Sequence, residues 1–416
     1  MSTDPNAHFK PTLLSLDDAV QRVLARVQAP LAVRAESVAT FDALRRVLAE
    51  DVRSLIDVPP ADNSAMDGYA LRAADAPAAG TVLPISQRIP AGSIGVPLQP
   101  GTAARIFTGA QIPAGADAVV MQEQCEAVPG GVRIDKTVQA GLSIRRRGED
   151  VRRESVVLRA GMRLSPQALG MAAAVGAATV KVGPRPRVAL FSTGDELAMP
   201  GEVLKPGAIY NSNRYTLRGL IESLGGICED FGIVPDRLDA TRETLKRAAE
   251  GNDLIVTCGG VSVGEEDHLK PAVEREGRLD LWQIAIKPGK PLAFGEVFRA
   301  DGSPTWFIGL PGNPVSSFVT FLFAVRPVLL KLQGGTELTP KPIAMRADFA
   351  WPRADKRREF LRVRRNAEDG LDLFANQGSG VLTSTVWADG LVDNPGSTTI
   401  AVGDTVRYLP FAELLG

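Results

Sequence analysis

The sequence contains few of the residues that most often bind transition metals in proteins. Its three cysteines, Cys125, Cys228 and Cys258, are isolated and odd in number, and it has only two histidines, His8 and His268. A disulfide framework and a Cys-X-X-Cys metal site are therefore not indicated. The same shortage disfavours a histidine-rich metal site and a catalytic triad built on histidine.

The chain also lacks an excess of charge and a long apolar run. Its 47 Lys and Arg residues face 48 Asp and Glu residues, a net charge of −1, so no global field attracts nucleic acid or an anionic membrane. No run approaches the roughly 18 apolar residues of a spanning helix. Asp4, Asp17 and Asp18 interrupt the place where a secretory signal has its apolar core. We expect a cytoplasmic protein with no membrane and no nucleic-acid partner.

The first 180 residues of this 416-residue chain contain helical segments around a β-rich segment. Helical spacing runs from Ser15 to Val27 and is also predicted from Phe41 to Val52. Between Asp57 and about Arg145, short Val- and Ile-rich runs broken by Pro and Gly predict an all-β module. Helix returns after Ser165, which can cap it.

The second half of the chain has a different pattern. From Arg187 to about Leu330, short apolar strands alternate with helices, which predicts a doubly wound parallel sheet. Residues 340–416 alternate as in a small β-barrel or sandwich. The fold class is therefore predicted to be α/β with several domains.

Two glycine-rich loops follow buried strands of the predicted parallel sheet, at residues 192–196 and 258–267. Ligands bind at the carboxyl ends of such strands, where glycine lets backbone amides approach phosphate oxygens. Both loops also contain carboxylates, which repel a phosphate unless a divalent cation lies between them. We therefore predict a phosphate-bearing ligand held partly through Mg²⁺. The phosphate-binding candidates in these loops are Ser192, Thr193, Gly194, Gly259, Gly260, Ser262 and Gly264.

Two further loops are candidates for binding an anion. In the turn after Ile286, the prolines hold Lys287 and Lys290 close together, which favours a shared anion over two exposed loop lysines. The segment from Gly309 opens a helix whose amino terminus could take an anion. Alternatively, Asn313 and Pro314 simply start that helix well.

Three segments of the first half have weaker signals. Asp62 lies on a loop where a capped turn is equally compatible with its residue types, and Asp67 before Gly favours a turn. Thr108 follows an ordinary strand end. The cluster 145–150 contains three arginines and two acids, which suits a solvated face, an ion-pair turn or an anion clamp.

Taken together and in order, these segments resemble the molybdopterin molybdenumtransferase family, which includes the carboxyl-terminal domain of gephyrin. The resemblance extends from about Leu16 almost to the last residue. The segments that carry it are DNSAMDGYA (62–70), RIFTGA (105–110), RRRGEDV (145–151), STGDEL (192–197), YNSN (210–213), GGVSVGEED (259–267), IKPGKPLAFG (286–295) and GLPGNPVSSF (309–318).

The resemblance implies an enzyme that accepts adenylylated molybdopterin and molybdate, inserts molybdenum at the dithiolene and releases AMP with the help of Mg²⁺. It implies a discontinuous helical domain (15–53 and 146–183), a β insert (54–145), a doubly wound domain (184–333) and a terminal β-barrel (334–416). It also implies a homodimer in which the insert of one chain faces the doubly wound domain of the other. Contacts with the adenylyltransferase and with apo-molybdoenzymes are further expectations.

The family's motifs assign roles to individual residues of this chain. The implied catalytic residues are Asp62, Thr108, Glu196, Asp236 and Asp267. The implied metal ligands are Glu196, Asp267 and Asp62. The implied molybdate-binding residues are Lys287, Lys290, Pro311, Pro314, Arg362 and Ser379, with Arg358 as a rival for the arginine. Arg145 and Asp150 match a substrate-binding pair.

Two alternatives remain. A molybdopterin adenylyltransferase shares the doubly wound domain and acts one step earlier with ATP, but it lacks the insert and the barrel. A gephyrin-like scaffold that binds peptides belongs to a different class of function. The complete set of acids and lysines favours the transferase.

Overall fold

The structure, a computed structural model, describes residues 13–30, 34–261 and 268–415. The α/β fold class is confirmed. The helices of the described chain are Leu16–Arg26, Pro166–Ala174, Ser212–Ser223, Leu238–Ala249, Leu269–Glu276, Pro314–Leu332, Thr383–Trp387 and Phe411–Leu415.

The first helix, Leu16–Arg26, begins where the sequence predicted it. The side chain of Ser15 accepts a hydrogen bond from the backbone N–H of Asp18, which satisfies one of the amides left free at a helix start. Its buried residues, Leu16, Ala19 and Val23, pack in the same apolar cluster as the helix Pro314–Leu332. This helix therefore joins the core of the second half of the chain.

The prediction of a helix from Phe41 to Val52 is wrong. A single 3₁₀ turn spans Thr40–Asp42, and Arg45 has a φ of 64°, which ends helical geometry. Val47 and Leu48 form isolated β-bridges to Arg163 and Val182. Ala43, Val47, Leu48 and Val52 are buried without a helix, whereas Phe41 and Leu44 are exposed.

Strands on either side of the insert pair with each other. Glu36–Ala39 pairs with Thr179–Val182, and Val52–Arg53 pairs with Val156–Leu158. The helix Pro166–Ala174 packs beside them with Ser165 as its cap, as predicted. The chain thus leaves this unit and returns to it.

The segment between these strands is all-β, as predicted. A four-stranded sheet has the order Ile85–Ile89, Ala103–Ile106, Gly68–Leu71, Ala118–Met121. A three-stranded sheet has the order Thr81–Leu83, Gly131–Ile134, Cys125–Val128. A short pairing of Asn63–Ser64 with Ile144–Arg145 closes the segment.

The second half of the chain contains a six-stranded mixed sheet. Four strands are parallel, in the order Ile227–Val234, Arg187–Thr193, Leu254–Cys258, Pro304–Leu310. The sheet continues with Pro291–Phe298 and Gly277–Gln283, which are antiparallel. The predicted doubly wound parallel sheet is therefore present, and two further strands are added by antiparallel pairing, because short connections join them and parallel strands need a longer crossover.

Helices cover both faces of this sheet, so successive strand residues point into different cores. Val188 and Leu190 face the cluster formed with the helices Ser212–Ser223 and Pro314–Leu332. Ala189 and Phe191 face the cluster formed with Leu238–Ala249 and Leu269–Glu276. Burial on both faces explains why these strands appear as continuous apolar runs.

Among the described residues, Pro314–Leu332 is the one helix long and apolar enough, by length and composition, to cross a membrane. An 18-residue window of this helix has a mean hydropathy of 1.7, although Arg326 and Lys331 interrupt its apolar run. However, 94% of that window is buried inside the protein. Its position is that of a core helix.

The end of the chain forms a closed five-stranded barrel. Its strands are Ile343–Ala347, Arg358–Arg365, Gly370–Leu373, Gly390–Asn394 and Thr405–Pro410. Pairing of the second of these strands with the fourth closes the ring, which decides between barrel and sandwich. Ile286–Lys287 adds to it in parallel, opposite Arg358–Glu359.

Candidate active site

Three loops meet at the carboxyl edge of the parallel sheet. Gly259 has a φ of 93°, and a Cβ built on it would lie 2.5 Å from the carbonyl oxygen of Thr193. A Cβ on Gly312 would lie 3.8 Å from the Cα of Gly259. The loops after Thr193, Cys258 and Leu310 are therefore in direct contact. The first two loops approach so closely that no side chain fits at position 259.

Buried hydroxyl groups line the ends of two of these strands. Ser192, Thr193 and Thr257 are at most 5% exposed. Their hydroxyl oxygens have no hydrogen-bond partner within the residues that the structure describes. A buried hydroxyl left unsatisfied costs about 1–3 kcal/mol. Hydroxyls in this position suit a ligand that accepts hydrogen bonds.

The acidic residues of the first loop connect it to a neighbouring strand end. Asp195 accepts a hydrogen bond of 3.2 Å from the backbone N–H of Asp236, which follows the strand Ile227–Val234. The carboxylate of Glu196 folds back over Gly194, where an added Cβ would lie 2.5 Å from its Oε2. Asp236 and Glu196 thus belong to one edge of the sheet.

Part of the predicted set cannot be placed. Asp267, Ser262 and Gly264 lie outside the described residues. Among the residues that are described, no group of three or more His, Cys, Asp or Glu side chains is arranged to hold a metal ion. The metal ligands therefore stay a prediction.

Asn213, in the YNSN segment, is a residue of this site for which no role was predicted. Its Nδ2 donates to the Cys258 sulfur at 2.9 Å and to the Gly312 carbonyl at 2.7 Å. Asn213 lies in the first turn of a helix that Asn211 caps, since the Asn211 side chain accepts a hydrogen bond from the backbone N–H of Arg214. This cap fixes the position of Asn213 beside the two loops. The side-chain amide of Asn213 therefore joins the second and third loops.

Cys258 is a core residue. It is 3% exposed, and its sulfur lies 3.2 Å from the Pro311 carbonyl oxygen. Burial raises the pKa of the Cys258 thiol to about 11. The side chain is a neutral thiol at neutral pH and is a poor nucleophile.

The two predicted molybdate lysines have different surroundings. The Lys287 ammonium is 3.0 Å from the Glu359 carboxylate and 3.4 Å from that of Asp355, so it needs no bound anion to balance its charge. Lys290 is exposed and forms no ion pair within the described ranges. Of the pair, Lys290 is the cation available to a ligand.

The lysine turn packs on the start of the long helix. Gly289 has a φ of 114°, and a Cβ on it would lie 2.4 Å from the Thr320 hydroxyl. The Ser379 carbonyl accepts a hydrogen bond of 3.0 Å from the backbone N–H of Val315, one residue after Pro314. The turn and Ser379 both contact the beginning of the long helix, and the Val315 amide is bound by the Ser379 carbonyl and not free for an anion.

Neither barrel arginine is free to approach molybdate. Arg362 is fully buried and donates to the Phe360 carbonyl, the Gly378 carbonyl and the Ser384 hydroxyl, and burial lowers its pKa to about 10. Arg358 forms two bonds with the Asp393 carboxylate. This geometry does not support the direct contact predicted for Arg362, which instead holds the loop that carries Ser379.

In the insert, Asp62 and the arginine cluster form an ion-pair turn. Asp62 accepts from the Arg146 guanidinium at 2.7 Å and from the backbone N–H of Arg147 at 2.8 Å. The Arg147 N–H bond and then the Arg146 charge lower the pKa of Asp62. Arg145 lies in a strand opposite Asn63, and Asp150 is exposed. The cluster thus forms ion pairs while its arginine side chains stay exposed, and its role as an anion clamp stays a prediction.

Thr108 is held by an acid that the sequence indicated only as a turn former. The Asp67 carboxylate accepts from both the backbone N–H and the hydroxyl of Thr108, each at 2.7 Å. These hydrogen bonds lower the pKa of Asp67. Asp67 therefore orders the Thr108 turn.

In the part of the chain that the structure describes, the insert makes no polar contact with the glycine-rich loops. Over the described ranges, no hydrogen bond or ion pair connects residues 54–145 with the loops after Thr193, Cys258 and Leu310. A separate groove of about 890 Å³ lies between the first helix, the long helix and the barrel. It contains Arg358 but none of the residues predicted for the site.

Proteins with this fold and these loops take part in molybdopterin biosynthesis. The molybdopterin biosynthesis MoeA protein of Pyrococcus horikoshii OT3 has a TM-score of 0.83 at 29% identity, covering 96% of this chain and 100% of that one. Three family descriptions match in order: MoeA N-terminal region (domain I and II) at 14–176, probable molybdopterin binding domain at 189–331, and MoeA C-terminal region (domain IV) at 344–411.

Curated relatives match over nearly the full length. The molybdopterin molybdenumtransferase of Haemophilus influenzae is 38% identical over 97% of this chain and 100% of its own. That of a Nostoc species is 37% identical over 88% of this chain and 86% of its own. The chain belongs to the molybdopterin molybdenumtransferase family.

Proposed function

We propose that this chain inserts molybdenum into adenylylated molybdopterin, consuming molybdate and releasing AMP, as the final step of molybdenum cofactor biosynthesis. Support comes from the full-length relatives that bear the transferase name. One structural observation carries the proposal: Gly259 lets two loops meet beside the unpartnered hydroxyls of Ser192, Thr193 and Thr257. Such donors suit the phosphate groups of an adenylylated substrate.

The molybdate ion is a tetrahedral dianion that needs cationic donors and no transition-metal ligand set. Lys290 supplies an exposed ammonium with no carboxylate partner in the described chain, on a turn whose Gly289 packs against the long helix at Thr320. Lys287, held by Glu359, keeps the turn attached to the barrel. We assign Lys290 to binding the ion and Lys287 mainly to positioning the turn.

The acids of the site suit a hard divalent cation. Carboxylate oxygens are the ligands that Mg²⁺ prefers, and Glu196, Asp267 and Asp62 would hold it. When bound, Mg²⁺ would neutralise charge that develops on the phosphate oxygens. The unpartnered hydroxyls beside Glu196 fit such a site, since they can bind the oxygens that the ion does not reach.

A homodimer would complete the site. Asp62 and Thr108 belong to the insert, which makes no hydrogen bond to the glycine-rich loops within the described part of one chain. A partner chain facing those loops with its insert would supply both residues. We place the reaction in the cytoplasm, with the adenylyltransferase and apo-molybdoenzymes as transient contacts.

The direct test is molybdate-dependent release of AMP from adenylylated molybdopterin, followed by reconstitution of an apo-molybdoenzyme. Release that requires both molybdate and Mg²⁺ is the expected result. A parallel reaction with molybdopterin and ATP tests the adenylyltransferase, and formation of adenylylated product there would replace our proposal. A scaffold would show neither reaction.

A further inference from the structure

Two arginines of the insert lie side by side on neighbouring strands. Arg88 and Arg105 are partners in the parallel pairing of Ile85–Ile89 with Ala103–Ile106. Tyr69 lies opposite Arg105 on the next strand. Like charges directly opposite each other on adjacent strands destabilise a sheet unless something balances them.

Aromatic rings hold both guanidinium groups in place. The Arg88 guanidinium carbon is 4.6 Å from the centre of the Phe107 ring, and that of Arg105 is 4.8 Å from the same ring. Arg105 also lies over Tyr69 at 5.2 Å. Stacking on an aromatic face orients a guanidinium and leaves its N–H edge available to an acceptor.

The charges of these arginines are not balanced by ion pairs. Arg105 donates to the Gly68 carbonyl at 3.0 Å and to the side-chain oxygen of Gln122 at 2.6 Å, both uncharged. The charge of Arg105 contributes to lowering the pKa of Asp67, but the Asp67 carboxylate is already bound to Thr108. Neither Arg88 nor Arg105 forms an ion pair with a residue that the structure describes.

Two other arginines of the insert are paired. Arg72 bonds to Asp75 at 2.6 Å, and Arg133 bonds to Asp135 at 2.8 Å and to Glu126. Arg145, at the end of the insert, forms no ion pair with a described residue, but it has no aromatic ring beneath it. Among the described arginines of the insert, the combination of an unpaired guanidinium and an aromatic ring is found at Phe107. That ring immediately precedes Thr108, the insert residue with an implied catalytic role.

We propose that Arg88 and Arg105, stacked on Phe107, form a subsite for a phosphate group of the nucleotide part of the substrate. Paired guanidiniums match the oxygens of a phosphate and bind it by charge-assisted hydrogen bonds. The subsite deepens the proposed function, on which it rests, because it gives the insert a share in substrate binding. No residue of the glycine-rich loops is involved.

Binding of AMP tests the subsite without requiring turnover. Isothermal titration calorimetry measures the affinity of AMP for the wild-type protein and for the variants Arg88→Gln and Arg105→Gln. We expect each variant to bind AMP about tenfold more weakly than the wild type, or weaker still. Adenosine, which has no phosphate, should bind equally to all three proteins. Arg133→Gln is the matched control, since it removes a paired arginine from the same insert.

Each outcome is decisive. Three results would overturn the subsite. Arg88→Gln and Arg105→Gln could bind AMP as tightly as the wild type, Arg133→Gln could lose as much affinity as they do, or the wild-type protein could fail to bind AMP. A loss for adenosine equal to that for AMP would also overturn it, since the charge would then not matter. Thermal unfolding of every variant separates misfolding from lost contacts. Absence of molybdate-dependent AMP release, with arginine-dependent AMP binding intact, would reject the proposed function and leave the subsite standing.

Discussion

The Lys287 ammonium lies 3.0 Å from the carboxylate of Glu359, a side chain that is 1% exposed. The same carboxylate accepts a hydrogen bond of 2.8 Å from the Trp351 indole nitrogen. The acid comes from the barrel and the lysine from the turn between two strands of the mixed sheet. This pair attaches the lysine turn to the barrel and distinguishes Lys287 from Lys290.

Replacing the two lysines should therefore have different effects. Lys287→Met leaves Glu359 buried without its cation, and because Lys287 is itself partly exposed we expect a loss of about 1–3 kcal/mol in the free energy of unfolding. Lys290→Met should change that free energy by no more than about 0.5 kcal/mol. For Lys290→Met, the molybdate concentration that gives half-saturation should instead rise about tenfold or more, and the affinity for the pterin substrate should fall less. Urea unfolding and molybdate titration measure the two effects, and equal stability losses would contradict the assignment.

Gly289→Ala should disturb the lysine turn through Thr320. The added methyl group would meet the Thr320 hydroxyl at 2.4 Å, in a backbone conformation with positive φ. Gly302→Ala is the matched control, because Gly302 also has positive φ and its Cβ would meet nothing within 4 Å. We expect Gly302→Ala to cost about 1 kcal/mol and Gly289→Ala about 1–3 kcal/mol more.

A double-mutant cycle completes this experiment. Adding Thr320→Ala to Gly289→Ala should recover the part of the loss that comes from the contact, and urea unfolding of the four proteins gives the coupling. If Gly289→Ala costs no more than Gly302→Ala, the packing of the turn on the helix does not matter for stability.

Burial of Cys258 should make the protein less stable in alkali. The thiol has a pKa of about 11 in the folded chain against 9.0 when exposed. The raised pKa means that the fold favours the neutral thiol. The contribution of this thiol to the free energy of unfolding is therefore complete below pH 9.0 and is lost as the pH rises toward about 11. Between those values the unfolded chain releases a proton that the folded chain retains.

The variant Cys258→Ala isolates this contribution. It should cost about 1 kcal/mol at neutral pH, because a small buried group is lost. Its stability should then decline less than that of the wild type between pH 9 and pH 11, as measured by urea unfolding across that range. Parallel declines for the two proteins would show that the thiol does not contribute.

The acid Glu196 should control the response to Mg²⁺. Glu196→Gln should abolish the stimulation of AMP release by added Mg²⁺ and leave the unfolding temperature unchanged, since its side chain lies on a loop and forms no ion pair within the described chain. Removal of the metal from the wild type with a chelator should give the same low rate. Glu202→Gln is a control acid on the following loop. Full stimulation in Glu196→Gln would remove the metal role that we propose.

Local features of the fold were accessible from the sequence, and features that join distant residues were not. Ser15 and Ser165 predicted helix starts because a cap is a contact over three residues. The helix predicted from Phe41 to Val52 was wrong, because Val47 and Leu48 are buried through β-bridges to Arg163 and Val182, which lie more than 100 residues away in the sequence. Arg362 was predicted as a ligand contact, since nothing near it in sequence indicates that three acceptors surround it.

By itself, the sequence determined the alternation of strands and helices, the glycine-rich loops at strand ends and the membership of a family, since all three depend on the order of residues along the chain. Only the tertiary structure decided which charges meet. Glu359 neutralises Lys287 from 72 residues away, and Asp67 holds Thr108 from 41 residues away. Ion pairs and buried hydrogen bonds depend on distances of a few ångströms in space, and the packing of sheet, helix and barrel sets those distances.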